Sequence, residues 1–489
     1  MKSIKFGGIK NFFHRVALSA KLMSRTERIL LYILIGLISF EVLFKGYGLY
    51  LSSTIIVPTS GGVYKEVSVG EVKYVNPIFT KTDAERSVSR LIYSGLVRLD
   101  QNGQIAPDLA NRWEISSDGL NYTFYLNESI YFHNGEQLTA LDVVNTLNTI
   151  KNPETKSPYK DIWANVTVSS PEPNIVSLTI PRQYGPFLFY CTQGIVASDN
   201  LQDSVAETVN GTGPYRLKNL KQMKEGYTFV DLERYDNYYS IPTLIPRLEL
   251  SIYKDSLPQN IKNSISEYTA VAGSGVDSDK FLEKSFKVGR ALMLIANLKS
   301  AILSDSANRA KFFKFERFAD PVILKLIALD ASSQKSTIEE LQNKLKDANV
   351  TLNVQLLSAV DFYEKAEARD FDLILYGADY GPDRDPYVFW HSSQVSKNNF
   401  ASYADKSMDI KLEDARMILD YNDRNAKYDE IYKILTDNNL ILFYPQVKYQ
   451  FEINQDLQGV NTIIGNRPED RFNSISNWYL EQERIRKRS

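Results

Sequence analysis

The chain has 489 residues, about three times the length of an ordinary domain, so two or three packed units are expected. With 43% hydrophobic and 24% charged residues it has a globular balance, which excludes wholesale disorder and a polytopic membrane protein. The net charge of −2 is uneven: residues 1–28 carry seven basic side chains against Glu27 alone, leaving an acidic remainder that offers no footprint for nucleic acid.

Cys191 is the single cysteine, so neither an internal disulfide nor a thiolate metal cluster can form. The histidines are His14, His133 and His391, too few and too scattered for a multi-imidazole site. No cofactor or metal is expected.

Taken in chain order, residues 1–28 form a basic tail. The apolar stretch 29–51 is long enough to span a bilayer if Glu41 and Lys45, four apart and able to pair on one helix face, are tolerated. A signal peptide would need a small-x-small site, and Gly46-Tyr47-Gly48 is a poor one. We therefore expect an uncleaved single-pass anchor. Its N-terminus would be cytoplasmic, by the preceding positive charge, and the main body extracellular or periplasmic. Residues 52–60 read as a linker.

In the body, residues 63–75 suggest strands, and Asp83 to Leu99 a helix feeding a strand. Tyr122, Phe124 and Leu126 alternate as in a half-buried strand. Asn134-Gly135 marks a turn, and Thr139 caps a helix carrying Val143, Val144, Leu147 and Ile150. Between 320 and 376 the pattern is strand–helix–strand–helix–strand, which implies a parallel sheet, with Ser336 and Glu339 spaced as a capping box. Tyr428, Ile431, Tyr432 and Leu435 share a helix face. Leu440–Tyr444 reads as a buried strand stopped by Pro445.

Tests for common catalytic constellations fail. Neither H-E-x-x-H nor a P-loop occurs, and Ala272-Gly273-Ser274-Gly275 misses a nucleophile elbow by one residue. No enzyme is expected. The most informative segment is Tyr376-Gly377-Ala378-Asp379-Tyr380-Gly381, just past the C-terminal end of a predicted parallel strand, where open α/β sheets place ligands.

Several further stretches, in order along the chain, carry a resemblance. They are Tyr74-Val75-Asn76-Pro77, Leu91 to Leu96, Pro107 to Gly119, and Phe132 to Val144. Gly211-Thr212-Gly213-Pro214-Tyr215, the Ala378-Asp379-Tyr380 loop with Asp385-Pro386, and Asn399 to Tyr403 complete the set. Together, over roughly residues 61–480, the chain resembles the extracytoplasmic solute-binding proteins of peptide ABC importers, the oligopeptide/dipeptide-binding class of bacterial family 5.

That resemblance implies an α/β, two-lobed periplasmic-binding-protein-like (class II) fold with an extra subdomain in lobe I, preceded here by one transmembrane helix. Lobe I would span 61–263 with an insert at about 85–190, lobe II 264–440, and 441–480 would return to lobe I before a charged tail, 481–489. It further implies that Asp379 holds a peptide α-amine, and that Tyr376, Gly377, Ala378, Tyr380, Asn76, Tyr215 and Asn297 line the site. The implied partners are a peptide ligand, an ABC transporter permease and the membrane, with a monomeric state. Two departures stand out. Leu373 occupies a position where some relatives carry Arg, and Ala301–Asp320 is short and lacks the family's Ala-Ile-Asp-Arg-like helix. The alternatives are a transport-inactive surface interaction or signalling protein on the same fold, or a binder of a non-peptide solute.

Overall fold

The computed structural model describes residues 24–202, 209–275, 278–381, 383–444 and 448–487. Most of the basic tail, and Pro445, lie outside them. Two compact units emerge, Met1–Thr59 with Glu481–Ser489, and Ser60–Leu480.

In the first unit the apolar stretch forms one helix, Arg25–Ser53, none of whose residues is buried. Ser24 and Glu27 close a capping box at its start. Glu41 and Lys45 pair at 2.8 Å, as their spacing predicts. The expected linker is instead a strand, Thr54–Thr59, paired antiparallel with Glu481–Arg486, so the charged tail is also a strand. Neither was legible locally, because the pairing joins segments more than 400 residues apart.

The second unit holds two large sheets and a four-stranded one, with two-stranded pairs at Val97–Leu99 with Ile105–Pro107 and at Phe286–Lys287 with Lys448–Tyr449. The first has seven strands in the order Phe281–Glu283, Phe451–Asn454, Ala270–Ala272, Val63–Val69, Arg247–Tyr253, Tyr227–Arg234, Tyr215–Gln222. The second has five, Val350–Leu357, Val322–Leu329, Leu373–Asp379, Arg290–Ala296, Ile441–Phe443. A four-stranded antiparallel sheet, Ala110–Ile115, Asn121–Leu126, Ile175–Thr179 and Thr167–Glu172, forms the insert. This is the two-lobed class II arrangement.

The expected lobe boundaries move. Ala270–Ala272 pairs parallel with Val63–Val69, and Phe281–Glu283 pairs with Phe451–Asn454, so the chain leaves lobe I near residue 289 rather than 264. Ile441–Phe443 pairs with Arg290–Ala296, so lobe II extends past 440. Hydrogen-bonded register decides this, and hydrophobic pattern alone does not report it.

Lobe II keeps the expected strand–helix–strand–helix–strand order over 322–379. Val322–Leu329 pairs parallel with both Val350–Leu357 and Leu373–Asp379, joined by helices Ser332–Leu345 and Ala359–Ala368. Along Leu373–Asp379, Ile374, Tyr376 and Ala378 enter one apolar cluster, while Leu373 and Leu375 enter the cluster on the other face. The helix preceding Val350 begins at Ser332 rather than at the Ser336 box, which lies inside it. The short stretch after Asn297 still holds a helix, Ser306–Phe313, capped by Asp305. In the helix Tyr421–Asp437, Tyr428, Ile431, Tyr432 and Leu435 are all buried, as predicted.

In lobe I the expected helix after Thr139 is Ala140–Lys151, with Thr139 and Asp142 in a capping box. Tyr122, Phe124 and Leu126 are buried in the core shared by lobe I and the insert.

Candidate functional site

Arg290 opens its strand directly opposite Asp379, which closes the neighbouring one. The Arg290 Nε donates to Asp379 Oδ2 at 3.2 Å. Its two Nη atoms donate to the two oxygens of Asp83 at 2.8 and 2.6 Å, a bidentate pair. Asp83 begins the lobe I helix Asp83–Ile92, whose N-cap Thr82 forms a capping box with Glu85. One guanidinium therefore ties a lobe II strand end to a lobe I helix start.

The chain of charge continues. Arg86 also bonds Asp83, and its Nε lies 3.3 Å from Glu469, which Arg467 approaches at 3.8 Å. Asp379, Arg290, Asp83, Arg86, Glu469 and Arg467 alternate in sign from one lobe to the other. Burial pushes the Asp83 carboxyl up, but Arg290 and Arg86 outweigh it and hold the group below the usual carboxylate range. At Glu469 the balance reverses: burial raises the carboxyl in spite of Arg467 and Arg86. Asp470 is raised by burial too, although its carboxylate accepts the N–H groups of Asn466 and Arg467.

Beside this chain lies a cavity of about 110 Å³ lined by Arg86, Arg90, Tyr159, Tyr190, Gln193 and Arg467, among others. All its walls come from lobe I, the insert and the return segment. Lobe II reaches its edge through the loop after Asp379. There Tyr380 N–H donates to Gly289, whose own N–H donates to Asn466 at 2.7 Å.

A second contact between lobes lies at the insert. Gly185 N–H donates to the Arg416 carbonyl at 2.7 Å, and Gln183 Nε2 to the Met417 carbonyl at 2.9 Å. The rings of Phe189 and Tyr421 pack in a tilted arrangement with centroids 5.4 Å apart. A β-carbon on Gly185 would sit 1.9 Å from the Ile418 carbonyl oxygen, so the approach requires glycine. Arg416 pairs with Asp385 at 2.8 Å between the rings of Tyr184 and Tyr387.

The predicted site residues separate into groups. Asp379 stands at the junction, half exposed and already paired with Arg290, and its Oδ1 accepts Gly381 N–H. Gly377 is exposed on the same sheet face. Tyr376 and Ala378 point the other way, into the lobe II core, because side chains alternate along a strand. Tyr376 packs there against Phe362, Phe389 and Phe400. Tyr380 is anchored by its hydroxyl to Met293 and by its ring to Phe389 and Tyr432.

The remaining three are committed to their own lobes. Asn76 is buried, its Oδ1 accepting Ile78 N–H and its Nδ2 donating to the Asn200 carbonyl, next to Pro77 of the cavity wall. Tyr215 is fully buried and donates to the Ile245 carbonyl. Asn297, also buried, donates to the carbonyls of Arg369 and Phe371. The side chains of Tyr215 and Asn297 therefore do not reach the cavity. Sequence reasoning missed Arg290, Asp83, Arg86, Gly185 and Arg416. Arg290 is the first residue of an otherwise apolar strand and Asp83 the first of a helix, and only the packing of the two lobes brings them together.

These lobes and the junction between them define a class: the two-lobed, mixed α/β solute-binding proteins. Residues 104–309 match the family described as "Bacterial extracellular solute-binding proteins, family 5 Middle". Over that stretch, 206 of the 489 residues, the chain is similar to family 5 of these proteins.

Among curated relatives, the oligopeptide-binding protein AppA of Bacillus subtilis is 20% identical over 513 residues, covering 86% of this chain and 92% of AppA. Its structure with a nonapeptide superposes with a TM-score of 0.64 at 17% identity, covering 87% of this chain and 100% of that one. NikZ of Campylobacter jejuni, in complex with Ni(L-His), gives a TM-score of 0.66 at 21% identity, covering 85% of this chain and 99% of that one. The HTH-type transcriptional regulator SgrR of Pectobacterium atrosepticum is 26% identical over 189 residues, 37% of this chain. The match spans about a third of that regulator's length, 32%.

Proposed function

We propose that this protein is a membrane-anchored extracytoplasmic receptor that captures a peptide between its lobes and delivers it to an ABC permease. The observation that carries the reading is the alternating ion chain from Asp379 to Arg467, running across the junction of the lobes beside an aromatic-walled cavity. A peptide is a zwitterion. Its α-amine would take Arg290's place on Asp379, and an anionic group of the ligand would be met by the guanidinium so released or by Arg86 and Arg90. The backbone at Gly377, exposed and open above its Cα, leaves room for an extended chain to lie along the strand end.

The nonapeptide held by AppA supports a peptide ligand, and the exposed apolar helix Arg25–Ser53 supports an anchor. Binding would draw the lobes together through hinge motion. No catalytic step enters this reading.

Native mass spectrometry of the purified body, followed by calorimetric titration, tests it. Co-purifying short peptides whose affinity falls in Asp379→Ala are expected. Protein that takes up no peptide from a pool would overturn the peptide reading.

The match to SgrR favours a second reading, in which the same fold senses a solute and signals without transport. It predicts ligand-driven lobe closure with no dependence of uptake on the protein, measured as accumulation of labelled ligand in cells lacking it.

A further inference from the structure

The two strands that follow the anchor helix and end the chain form a ribbon with a marked polarity. Thr54 pairs with Arg486, Ile56 with Arg484, Pro58 with Gln482 and Thr59 with Glu481. Lys487 N–H donates to the Ser53 carbonyl at 2.9 Å, closing the ribbon onto the last residue of the helix. Arg484 Nη1 donates to Thr54 Oγ1 at 3.1 Å, and its guanidinium lies over the Tyr50 ring at 5.9 Å. The cations Arg484, Arg486 and Lys487 are thus gathered toward the helix end, with Glu483 opposite Val57 and Glu481 opposite Thr59 further along the same strand, on the face that carries Ile485.

On the opposite ribbon face Ile55 faces Ile485, and both are exposed. An apolar pair beside basic side chains fits the boundary between acyl chains and headgroups, a layer that favours tyrosine, and Tyr47 and Tyr50 lie in the last turns of the helix. The helix of 29 residues is about 43 Å long, enough to cross the roughly 30 Å hydrocarbon core and deliver its last turn to that layer. A cationic cluster held there meets phosphate groups within a Debye length.

We infer that the base of this ribbon is a docking surface for anionic phospholipid headgroups, with Arg484, Arg486 and Lys487 as the contacts and Ile55 and Ile485 seated at the acyl boundary. This rests on the anchor reading above. The strand Glu481–Arg486 would then be a second attachment to the bilayer, formed by a segment more than 400 residues from the anchor in sequence.

The test uses the full chain in nanodiscs containing phosphatidylcholine and phosphatidylglycerol, with retained lipids counted by native mass spectrometry. Wild-type protein is expected to keep phosphatidylglycerol in preference to phosphatidylcholine. The variant Arg484→Gln/Arg486→Gln/Lys487→Gln is expected to lose about five-fold or more of that enrichment, about the effect of one cation at an anionic surface. Arg484→Lys/Arg486→Lys should retain it. Equal enrichment in wild type and the triple glutamine variant, or none in either, overturns the docking surface. Alkaline carbonate extraction separates the two readings: a chain released from membranes overturns the anchor, and an integral chain without lipid preference overturns only the docking surface.

Discussion

Arg290 and Asp83 face each other in a bidentate pair, with both guanidinium Nη atoms within 2.8 Å of the two carboxylate oxygens. Because Arg290 begins a lobe II strand and Asp83 a lobe I helix, this pair is a fastening between lobes. Arg290→Gln keeps hydrogen-bonding capacity but removes the charge and the fork. We expect the ligand-free variant to be more open, read as a larger radius of gyration by small-angle scattering. Its thermal stability should fall by no more than about 3 kcal/mol, since the pair is partly exposed. An unchanged scattering profile would show that the pair does not hold the lobes.

Asp379 is half exposed and already has a cationic partner, so its contribution to an amine-bearing ligand is smaller than a fully buried charge would make. Asp379→Ala should weaken peptide binding by about 10- to 100-fold, corresponding to roughly 1.5–3 kcal/mol for a hydrogen bond to a charged group. Calorimetry on peptides with free and acetylated N-termini checks it. The variant should no longer distinguish the two.

Gly185 sits where a β-carbon would collide with the Ile418 carbonyl. Gly185→Ala should force the insert off the Arg416–Ile418 segment and break the Gly185–Arg416 hydrogen bond, while each lobe keeps its own core. Hydrogen exchange at the Gly185 amide should rise at least ten-fold, with far-ultraviolet circular dichroism unchanged.

Arg424 and Asp383 are both almost wholly buried, and Tyr428 donates to the same carboxylate at 2.9 Å. Removing one partner leaves the other charge uncompensated. Arg424→Ala should therefore cost about 3–5 kcal/mol, whereas the double variant Arg424→Met/Asp383→Leu should cost markedly less. Denaturant unfolding of the single and double variants decides between these outcomes.

His133 gives a pH dependence. Its Nε2 bonds the Gly213 carbonyl at 3.0 Å, and its Nδ1 accepts Gly211 N–H at 3.4 Å. Burial drives its pKa from 6.5 down to about 4, against the Gly213 carbonyl and with help from Arg216. Between those values the unfolded chain binds more protons than the folded one. Stability from this group is therefore complete above about pH 6.5 and is lost as pH falls toward 4. The full loss is about 3 kcal/mol at 1.36 kcal/mol per pKa unit. His133→Gln should flatten that part of the stability profile, measured by denaturant midpoints from pH 7 to 4.

Local sequence determined much of this protein. The apolar helix Arg25–Ser53 with its Glu41–Lys45 pair, the buried face of Tyr428, Ile431, Tyr432 and Leu435, and the parallel strands of lobe II follow from local pattern, which reports burial within one element. Ordered short motifs pointed to the two-lobed fold and placed Asp379 at a strand end. Tertiary structure alone decided which charges meet. Arg290 reaches Asp379 through strand register and Asp83 through lobe packing, 207 residues away in sequence. It also decided that Tyr376 and Ala378 turn inward, and that residues 54–59 and 481–486 form a ribbon. Hydrophobic pattern is a property of neighbours along the chain, whereas ion pairing and sheet register depend on distances that exist only once the chain has folded.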